Sequence, residues 1–190
     1  FSKLNKPFIR AFGINENIMK PMNLKKKWDG ILQGTFAEWK RHRLFSEVLG
    51  NKGLAVGRKQ ETDMNGYNLC VSRNVNILPE QSQEKVAELI NQSYTVLNTS
   101  EFWGGGQRAT LEGLACGVPV IVMADSPKNI EYIEESGAGL IIEPDVNKIR
   151  EAIEEIKRWP SITKGPEYIK SKWTSVHYSK KLKEGIESIC

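Results

Sequence analysis

Residues 104–121 read GGGQRATLEGLACGVPVI, and this stretch decides the fold because it joins a glycine-rich loop, an amphipathic helix and a buried strand. The preceding residues 94–98, YTVLN, are short, apolar and β-branched, as expected of an interior strand. The glycines therefore stand where a parallel strand passes into a helix. Ligands of α/β sheets bind at this edge, so the stretch predicts an α/β fold with a site in the loop.

The loop itself has the composition of an anion-binding segment. Glycine lacks a Cβ, so three glycines in a row let the main chain approach a ligand closely. If the helix begins near Gln107, its first amides have no intrahelical partner and favour a phosphate, and Arg108 adds a positive charge. The alternative is a tight turn that binds nothing, with Arg108 and Glu112 forming an ordinary i, i+4 surface pair.

Glu112 is a candidate ligand-binding carboxylate. Leu111, Leu114 and Ala115 have the spacing of a helical stripe packed on a sheet, and at about 100° per residue Glu112 falls on the flank of that stripe. A carboxylate accepts two hydrogen bonds, which suits the paired hydroxyls of a ribose better than it suits another anion. The pattern therefore favours a sugar hydroxyl as the partner of Glu112.

Short apolar runs alternate with helical patterns along the chain. Strands are predicted at 30–32, 54–56, 75–78, 94–98, 118–123 and 139–142, and helices at 36–49, 83–91, 129–135 and 146–156, with one more after Gly106. This alternation indicates a single Rossmann-like α/β domain whose parallel sheet of about six strands carries helices on both faces. Residues 58–66 are polar without a clear period, which is typical of a functional or mobile connection.

The pattern divides the chain into three parts. Residues 1–28 are a lead-in or linker, residues 29–160 form the Rossmann-like domain, and residues 161–190 contain two helical stretches, 166–172 and 176–188. Little strand character separates those two stretches, so they are expected to pack outside the sheet. The length of 190 residues suits one such domain and is too short for two of ordinary size.

Residues 98–121 resemble the nucleotide-sugar-binding half of retaining GT-B glycosyltransferases, the group 1 or family 4-like enzymes. That group usually shows a Glu, a glycine-rich stretch, and a second Glu eight positions later that precedes Ala-Cys-Gly-x-Pro-Val-Ile. Residues 115–121 match this ending, and Glu112 takes the second Glu position, which in the family holds the ribose of the donor. Gly104 stands where the first Glu should be, and the nearest carboxylate, Glu101, lies three residues too early.

A second match lies at residues 34–40, GTFAEWK. The family often has Gly-Arg here, followed five residues after the Arg by Lys, and both cations face the donor diphosphate. Lys40 fits this pattern, while Thr35 replaces the arginine. Arg41 and Arg43 are close enough in sequence to compensate, and the alternative is that Lys40, Arg41 and Arg43 form a solvated helix start.

The resemblance implies the donor-binding domain of a retaining hexosyltransferase that lacks its N-terminal acceptor domain and uses no metal or other cofactor. Its partner would be a nucleotide-diphosphate-sugar donor, with a glycan, a lipid or a small molecule as acceptor. Lys40 and Glu112 are the expected catalytic residues. The expected donor-contacting residues are Gly34, Thr35, Lys40, Gly104, Gly105, Gly106, Gln107, Arg108 and Glu112.

Three other functions stay open on the sequence. Gly104 and the missing acceptor domain favour a non-catalytic nucleotide-binding module. A dinucleotide-dependent enzyme is less consistent, because the fingerprint Gly-x-Gly-x-x-Gly does not follow the first strand. An interaction scaffold without a ligand is the third alternative.

Charge is distributed unevenly along the chain. Residues 1–60 contain 13 Lys or Arg against 4 Asp or Glu (+9), and the remaining residues contain 14 against 19 (−5), which sums to the net charge of +4. The cationic part suits a diphosphate donor or an anionic membrane surface, and residues 25–28, KKKW, are the candidate for peripheral membrane contact. Nucleic acid is not an expected partner, because no aromatic-interleaved basic stripe or groove-reading motif is present.

Cysteine usage and hydropathy complete the composition. Cys70, Cys116 and Cys190 are widely spaced and lack the pairs or histidine partners of a zinc site. No apolar run approaches the roughly 20 residues that span a bilayer. We therefore expect a cytoplasmic protein, at most peripheral to the membrane.

Overall fold

The computed structural model describes residues 13–61, 63–101, 108–160 and 162–187. These residues form a six-stranded sheet with the strand order β3-β2-β1-β4-β5-β6, and every neighbouring pair is parallel. The strands are β1 (Gly30–Gln33), β2 (Gly53–Val56), β3 (Asn76–Leu78), β4 (Val96–Asn98), β5 (Val120–Met123) and β6 (Gly139–Ile142). The α-helices of the described ranges are α1 (His42–Leu49), α2 (Asn65–Ser72), α3 (Gln83–Asn91), α4 (Arg108–Ala115), α5 (Pro127–Ser136), α6 (Val146–Ile156), α7 (Gly165–Lys172) and α8 (Ser175–Glu187).

Two hydrophobic cores lie on opposite faces of the sheet. Successive strand residues point to opposite faces, so Val96 belongs to the core beneath α3, α4, α5 and α7, whereas Leu97 belongs to the core beneath α1, α2 and α6. Both side chains are almost fully buried. Because the four inner strands, β1, β2, β4 and β5, are buried along their whole length, they are short and mostly apolar, as is typical of parallel sheets. The predicted fold class is confirmed.

The strand order reverses between β1 and β4. From β1 the chain proceeds outward to β2 and β3, then returns through α3 to pair β4 with the other edge of β1. The connections leave the carboxyl ends of β1 and β4 in opposite directions, which opens a crevice at this point. The loops that carry residues 34–37 and the beginning of α4 border that crevice.

The predicted helix at 36–49 is wrong in its first half. Residues Glu38–Lys40 form a short 3-10 helix, and α1 begins only after Arg41, whose φ of 49° is left-handed. The side chain of Arg41 is bonded to carboxylates on two other loops, Glu101 and Asp125. The break ends the 3-10 segment at Lys40.

Helix α2 is not predicted by the sequence, which indicates only a polar connection before it. Its sequence, NGYNLCVS, carries two fully buried residues, Gly66 and Cys70, so the apolar period is weak. The helix is stabilised by packing against α1 and β3, because its own sequence has little amphipathic periodicity. The connection is therefore shorter than the sequence suggests.

Helix α7 forms an outer layer on α4. The close approach requires glycine, because a Cβ at Gly165 would stand 2.4 Å from the carbonyl oxygen of Leu114. Trp173 ends α7 and packs edge-on against Tyr132 of α5, with ring centroids 5.2 Å apart. Among the described residues, no helix has the length and apolar character needed to cross a bilayer.

Candidate functional site

A cleft of about 350 Å³ lies at the carboxyl ends of β1 and β2, where α4 begins. We call it the β1–α4 cleft. It brings together residues from both matching segments of the sequence: Gly34, Thr35, Lys40, Arg108 and Glu112. The other predicted site residues, Gly104, Gly105, Gly106 and Gln107, lie outside the described residues.

Gly34 shapes the floor of the cleft directly after β1. Its φ of +125° is a conformation that side chains rarely adopt, and a Cβ here would stand 3.2 Å from Nζ of Lys40. Glycine therefore allows the Lys40 side chain to lie against the main chain at the strand end. The sequence predicts the glycine, and the structure supplies the steric reason.

Lys40 is the buried cation of the cleft. Only 5% of the residue is exposed, and this burial lowers the pKa of its ammonium group to about 8. Its amide donates to the carbonyl of Ala37 at 3.0 Å, and the hydroxyl of Thr99, just after β4, donates to its carbonyl. The lysine main chain is therefore fixed to the end of the neighbouring strand, which orients the side chain toward the crevice.

Glu112 is the buried carboxylate of the cleft. Its Oε1 accepts a hydrogen bond from Nε of Arg108 at 2.9 Å, and no described residue donates to Oε2. Burial raises the pKa of the Glu112 carboxyl, and the guanidinium of Arg108 opposes that shift. The predicted i, i+4 pair is present, and it lies at the edge of the cleft with Glu112 as its buried member.

A buried line of four polar side chains fixes the beginning of α4. Asn98 donates from Nδ2 to Oγ1 of Thr110 at 2.9 Å, Thr110 donates to Oδ1 of Asn129 at 3.0 Å, and Asn129 donates to Oγ of Ser126 at 2.8 Å. These residues come from β4, α4, the β5–α5 connection and the first turn of α5. Because every link is buried, the line holds the first turn of α4 against the end of β4.

The cations next to Lys40 point away from the cleft. Arg41 bonds Glu101 and Asp125, with 3.0 Å between its Nε and Oε1 of Glu101, and Arg43 is an exposed partner of Glu47. Arg41, Arg43 and Glu101 line a second cavity, of about 380 Å³, above α1 and α2. Within the described ranges, neither of the arginines that were expected to compensate for Thr35 lines the β1–α4 cleft.

His42 lies beneath the same region as an uncharged residue. Its ring stacks on Phe36 with centroids 4.7 Å apart, and burial, with a smaller effect of Lys40, lowers the pKa of the imidazole to about 4. At neutral pH His42 therefore adds no charge to the cleft.

The cleft also contains polar residues that the sequence motifs do not predict, among them Arg58 and Gln81. Arg58 follows β2 directly after Gly57, and Gln81 follows β3, so both lie at the same edge of the sheet as the predicted site. The signal was available, because the carboxyl ends of neighbouring parallel strands share one edge. In the described part of the chain, no group of three His, Cys, Asp or Glu is arranged to hold a metal ion.

The sequence matches a known protein family. The family described as glycosyl transferases group 1 matches residues 36–173. The curated proteins include no significant match to the sequence. The chain therefore belongs to the group 1 glycosyltransferases on the strength of the family match.

Solved structures agree on the fold. Sucrose-phosphate synthase from Thermosynechococcus elongatus superposes with a TM-score of 0.74 at 20% identity, covering 94% of this chain and 51% of that one. HepE of Anabaena in complex with UDP and glucose gives a TM-score of 0.76 at 14% identity, covering 93% and 55% of the two chains. A glycosyltransferase from Rickettsia africae gives 0.73 at 19% identity, covering 93% and 55%. The chain spans about half the length of these proteins and has the fold of one half of a GT-B glycosyltransferase.

The polar line at α4 generates a stability prediction. Thr110→Val keeps the shape of the side chain but removes the buried hydrogen bonds that the Thr110 hydroxyl forms with Asn98 and Asn129, so it should lower the free energy of unfolding by about 1 to 3 kcal/mol. Thr110→Ser keeps the hydroxyl and loses one methyl group, which should cost about 0.8 kcal/mol. Urea unfolding of both variants measures the difference, and a valine variant as stable as the serine variant would show that the line contributes nothing.

Proposed function

We propose that the chain is the donor-binding domain of a retaining glycosyltransferase that transfers a hexose from a nucleoside-diphosphate sugar. The observation that carries the proposal is that residues from both matching segments line one cleft at the reversal of strand order. Lys40 comes from the loop after β1, and Arg108 and Glu112 come from α4. A buried cation beside a buried carboxylate provides one group for a phosphate and one for sugar hydroxyls.

The nucleotide part of the donor would lie across the cleft with its diphosphate at Lys40. Lys40 is almost fully buried, and burial disfavours the charged form of its ammonium group, so a bound diphosphate would stabilise that charged form. The main-chain amides of residues 105–108 are the second proposed contact with the diphosphate. HepE, similar in fold, has been solved with UDP and with UDP-glucose, which makes UDP the first ligand to test.

Glu112 would accept hydrogen bonds from the ribose. Its Oε1 is already held by Arg108, which orients the carboxylate and leaves Oε2 directed at no described partner. A hydroxyl donor satisfies this oxygen without adding negative charge. The carboxylate therefore favours a ribonucleotide over a deoxyribonucleotide.

The chemistry proposed for the site is electrostatic stabilisation of the leaving group. As the bond between the sugar and the diphosphate breaks, negative charge would develop on the diphosphate, and Lys40 and the amides of residues 105–108 are the groups proposed to stabilise it. Such preorganised contacts usually make a large contribution to catalysis. The acceptor hydroxyl would attack from the same face of the sugar, and we propose that no metal is required.

The acceptor would be bound by a second domain. The chain spans about half of the structures it resembles, so we propose that a glycan, a lipid or a small molecule binds on a partner domain across the cleft. The isolated chain is then expected to bind donor and to transfer no sugar. We propose a cytoplasmic location, with residues 25–28 as the site of any contact with anionic lipid.

A non-catalytic nucleotide-binding module is the second candidate, and Gly104 in place of the family's first Glu favours it. Calorimetric titration of the chain with UDP and with UDP-glucose separates the two. A transferase domain should bind both and should release less heat or lose affinity when the sugar is changed to its C4 epimer. Equal binding of UDP and every UDP-sugar would favour the module.

Removal of the Glu112 carboxylate tests the ribose contact. Glu112→Ala should weaken UDP binding by about 1 to 3 kcal/mol, because two hydroxyls lose a charged acceptor. The control ligand is 2′,3′-dideoxy-UDP, which lacks both ribose hydroxyls. It should bind the Glu112→Ala variant and the original chain with similar affinity. An equal loss for both ligands would show that Glu112 acts on something other than the ribose.

The low pKa of Lys40 predicts how UDP affinity depends on pH. The cation is present below about pH 8 and is lost as the pH rises through that value, while the terminal phosphate of UDP is already ionised above about pH 7. Affinity for UDP should therefore be constant near pH 7.5 and fall by up to about tenfold per pH unit above pH 8. Uridine should show no such fall. Lys40→Met should abolish the alkaline decline, and a flat profile to pH 9.5 in the original chain would contradict the phosphate contact.

A further inference from the structure

We infer that Arg58 supplies the second positive charge for the donor diphosphate, in place of the arginine that Thr35 replaces. This inference rests on the proposed function and extends it to a residue outside both matching segments. The second positive charge of the site would then come from the loop after β2 and not from the loop after β1.

The main chain brings the two loops into direct contact. The amide of Gly34 donates to the carbonyl of Val56 at 2.9 Å, and the amide of Phe36 donates to the carbonyl of Arg58 at 3.0 Å. These two hydrogen bonds extend the β1–β2 pairing beyond the strands. Thr35 lies between the two bonded residues of its loop, so its main chain runs beside that of Arg58.

Gly57 makes this contact possible. A Cβ at Gly57 would stand 1.8 Å from the carbonyl oxygen of Gly34, so only glycine allows the loops to approach this closely. The distance between the backbones at positions 35 and 58 is therefore set by the fold. A long side chain at either position can reach the same volume of the cleft.

Arg58 lines the β1–α4 cleft together with Thr35 and Lys40. It is exposed, and no described residue forms a hydrogen bond or an ion pair with its guanidinium group. By contrast, Arg41, Arg43 and Arg108 are each paired with carboxylates. Arg58 is thus the arginine of the described cleft whose charge is not already offset by an acid.

The charge balance of the cleft explains why such a residue is needed. Glu112 offsets Arg108, and Thr35 is neutral, which leaves Lys40 as one buried cation for a diphosphate that carries more than one negative charge. A guanidinium group adds a second charge and binds two phosphate oxygens at once. Glu80 also lines the cleft and adds a negative charge, which increases the need for a second cation.

Neighbouring Lys59 provides a matched control. It has the same charge and is also exposed, but its ammonium group lies over the ring of Tyr67, 3.8 Å from the centroid, and it does not line the cleft. Arg58→Ala and Lys59→Ala therefore remove one charge each from adjacent positions. General attraction of an anion to a basic surface would be reduced equally by both.

The experiment measures the affinities of the 190-residue chain and its variants for UDP, uridine and inorganic pyrophosphate. Arg58→Ala should weaken UDP and pyrophosphate by about 10- to 100-fold, the usual effect of losing a hydrogen-bonded charge, and should leave uridine unchanged. Lys59→Ala should change all three affinities by less than about twofold. Thermal unfolding of each variant verifies that the fold is retained.

A double variant tests the change of position itself. In the Arg58→Ala background, Thr35→Arg should recover most of the lost UDP affinity, because both positions reach the same phosphate. If UDP affinity is lost in Arg58→Ala and Thr35→Arg does not recover it, the two positions are not equivalent. Equal losses of UDP affinity in Arg58→Ala and Lys59→Ala would overturn a specific contact between Arg58 and the diphosphate. Unchanged UDP binding in Arg58→Ala would overturn the inference alone, whereas an original chain that binds none of UDP, GDP, ADP and pyrophosphate would overturn the proposed function.

Discussion

The reversal of strand order between β1 and β4 is the constraint on which the site depends. Parallel strands need crossover helices, and the helices that leave β1 and β4 lie on opposite faces of the sheet. No connection can then cover the carboxyl ends of these two strands. The cleft is therefore a consequence of topology, and the side chains at its edge determine what it binds.

The second constraint is electrostatic. Lys40 is buried to the point that its pKa falls to about 8, while Glu112, which lines the same cleft, is buried with a raised pKa. Burial imposes a desolvation cost on the charged form of each group. A ligand with a diphosphate at one end and hydroxyls at the other lowers both costs at once, which is the physical basis of the proposed specificity.

Much of the fold was predictable because each strand carries its own local signal. All six predicted strands are present within a few residues of their expected positions. The left-handed Arg41 was not predictable, since a non-glycine residue with positive φ has no local sequence signal here and the carboxylates that bind its side chain are distant in sequence. Helix α2 was missed because packing, not periodicity, stabilises it.

The candidate site residues that belong to a local motif were predictable from the sequence. The residues that reach the cleft only because two loops are in contact were not. The residues of the two matching segments converge as expected, apart from residues 104–107, which lie outside the described ranges. Arg58 has no motif of its own, and its relation to Thr35 appears only through the hydrogen bond between Phe36 and Arg58. Proximity in sequence suggested Arg41 and Arg43 instead, and both are held by other acids.

The most direct test is a crystal structure of the chain with UDP. A diphosphate oxygen should lie within hydrogen-bond distance of Nζ of Lys40, about 2.7 to 3.2 Å, with the ribose hydroxyls on the Glu112 carboxylate. UDP bound elsewhere on the chain, or bound in the cleft with its base at Lys40, would contradict the assignment of the cleft.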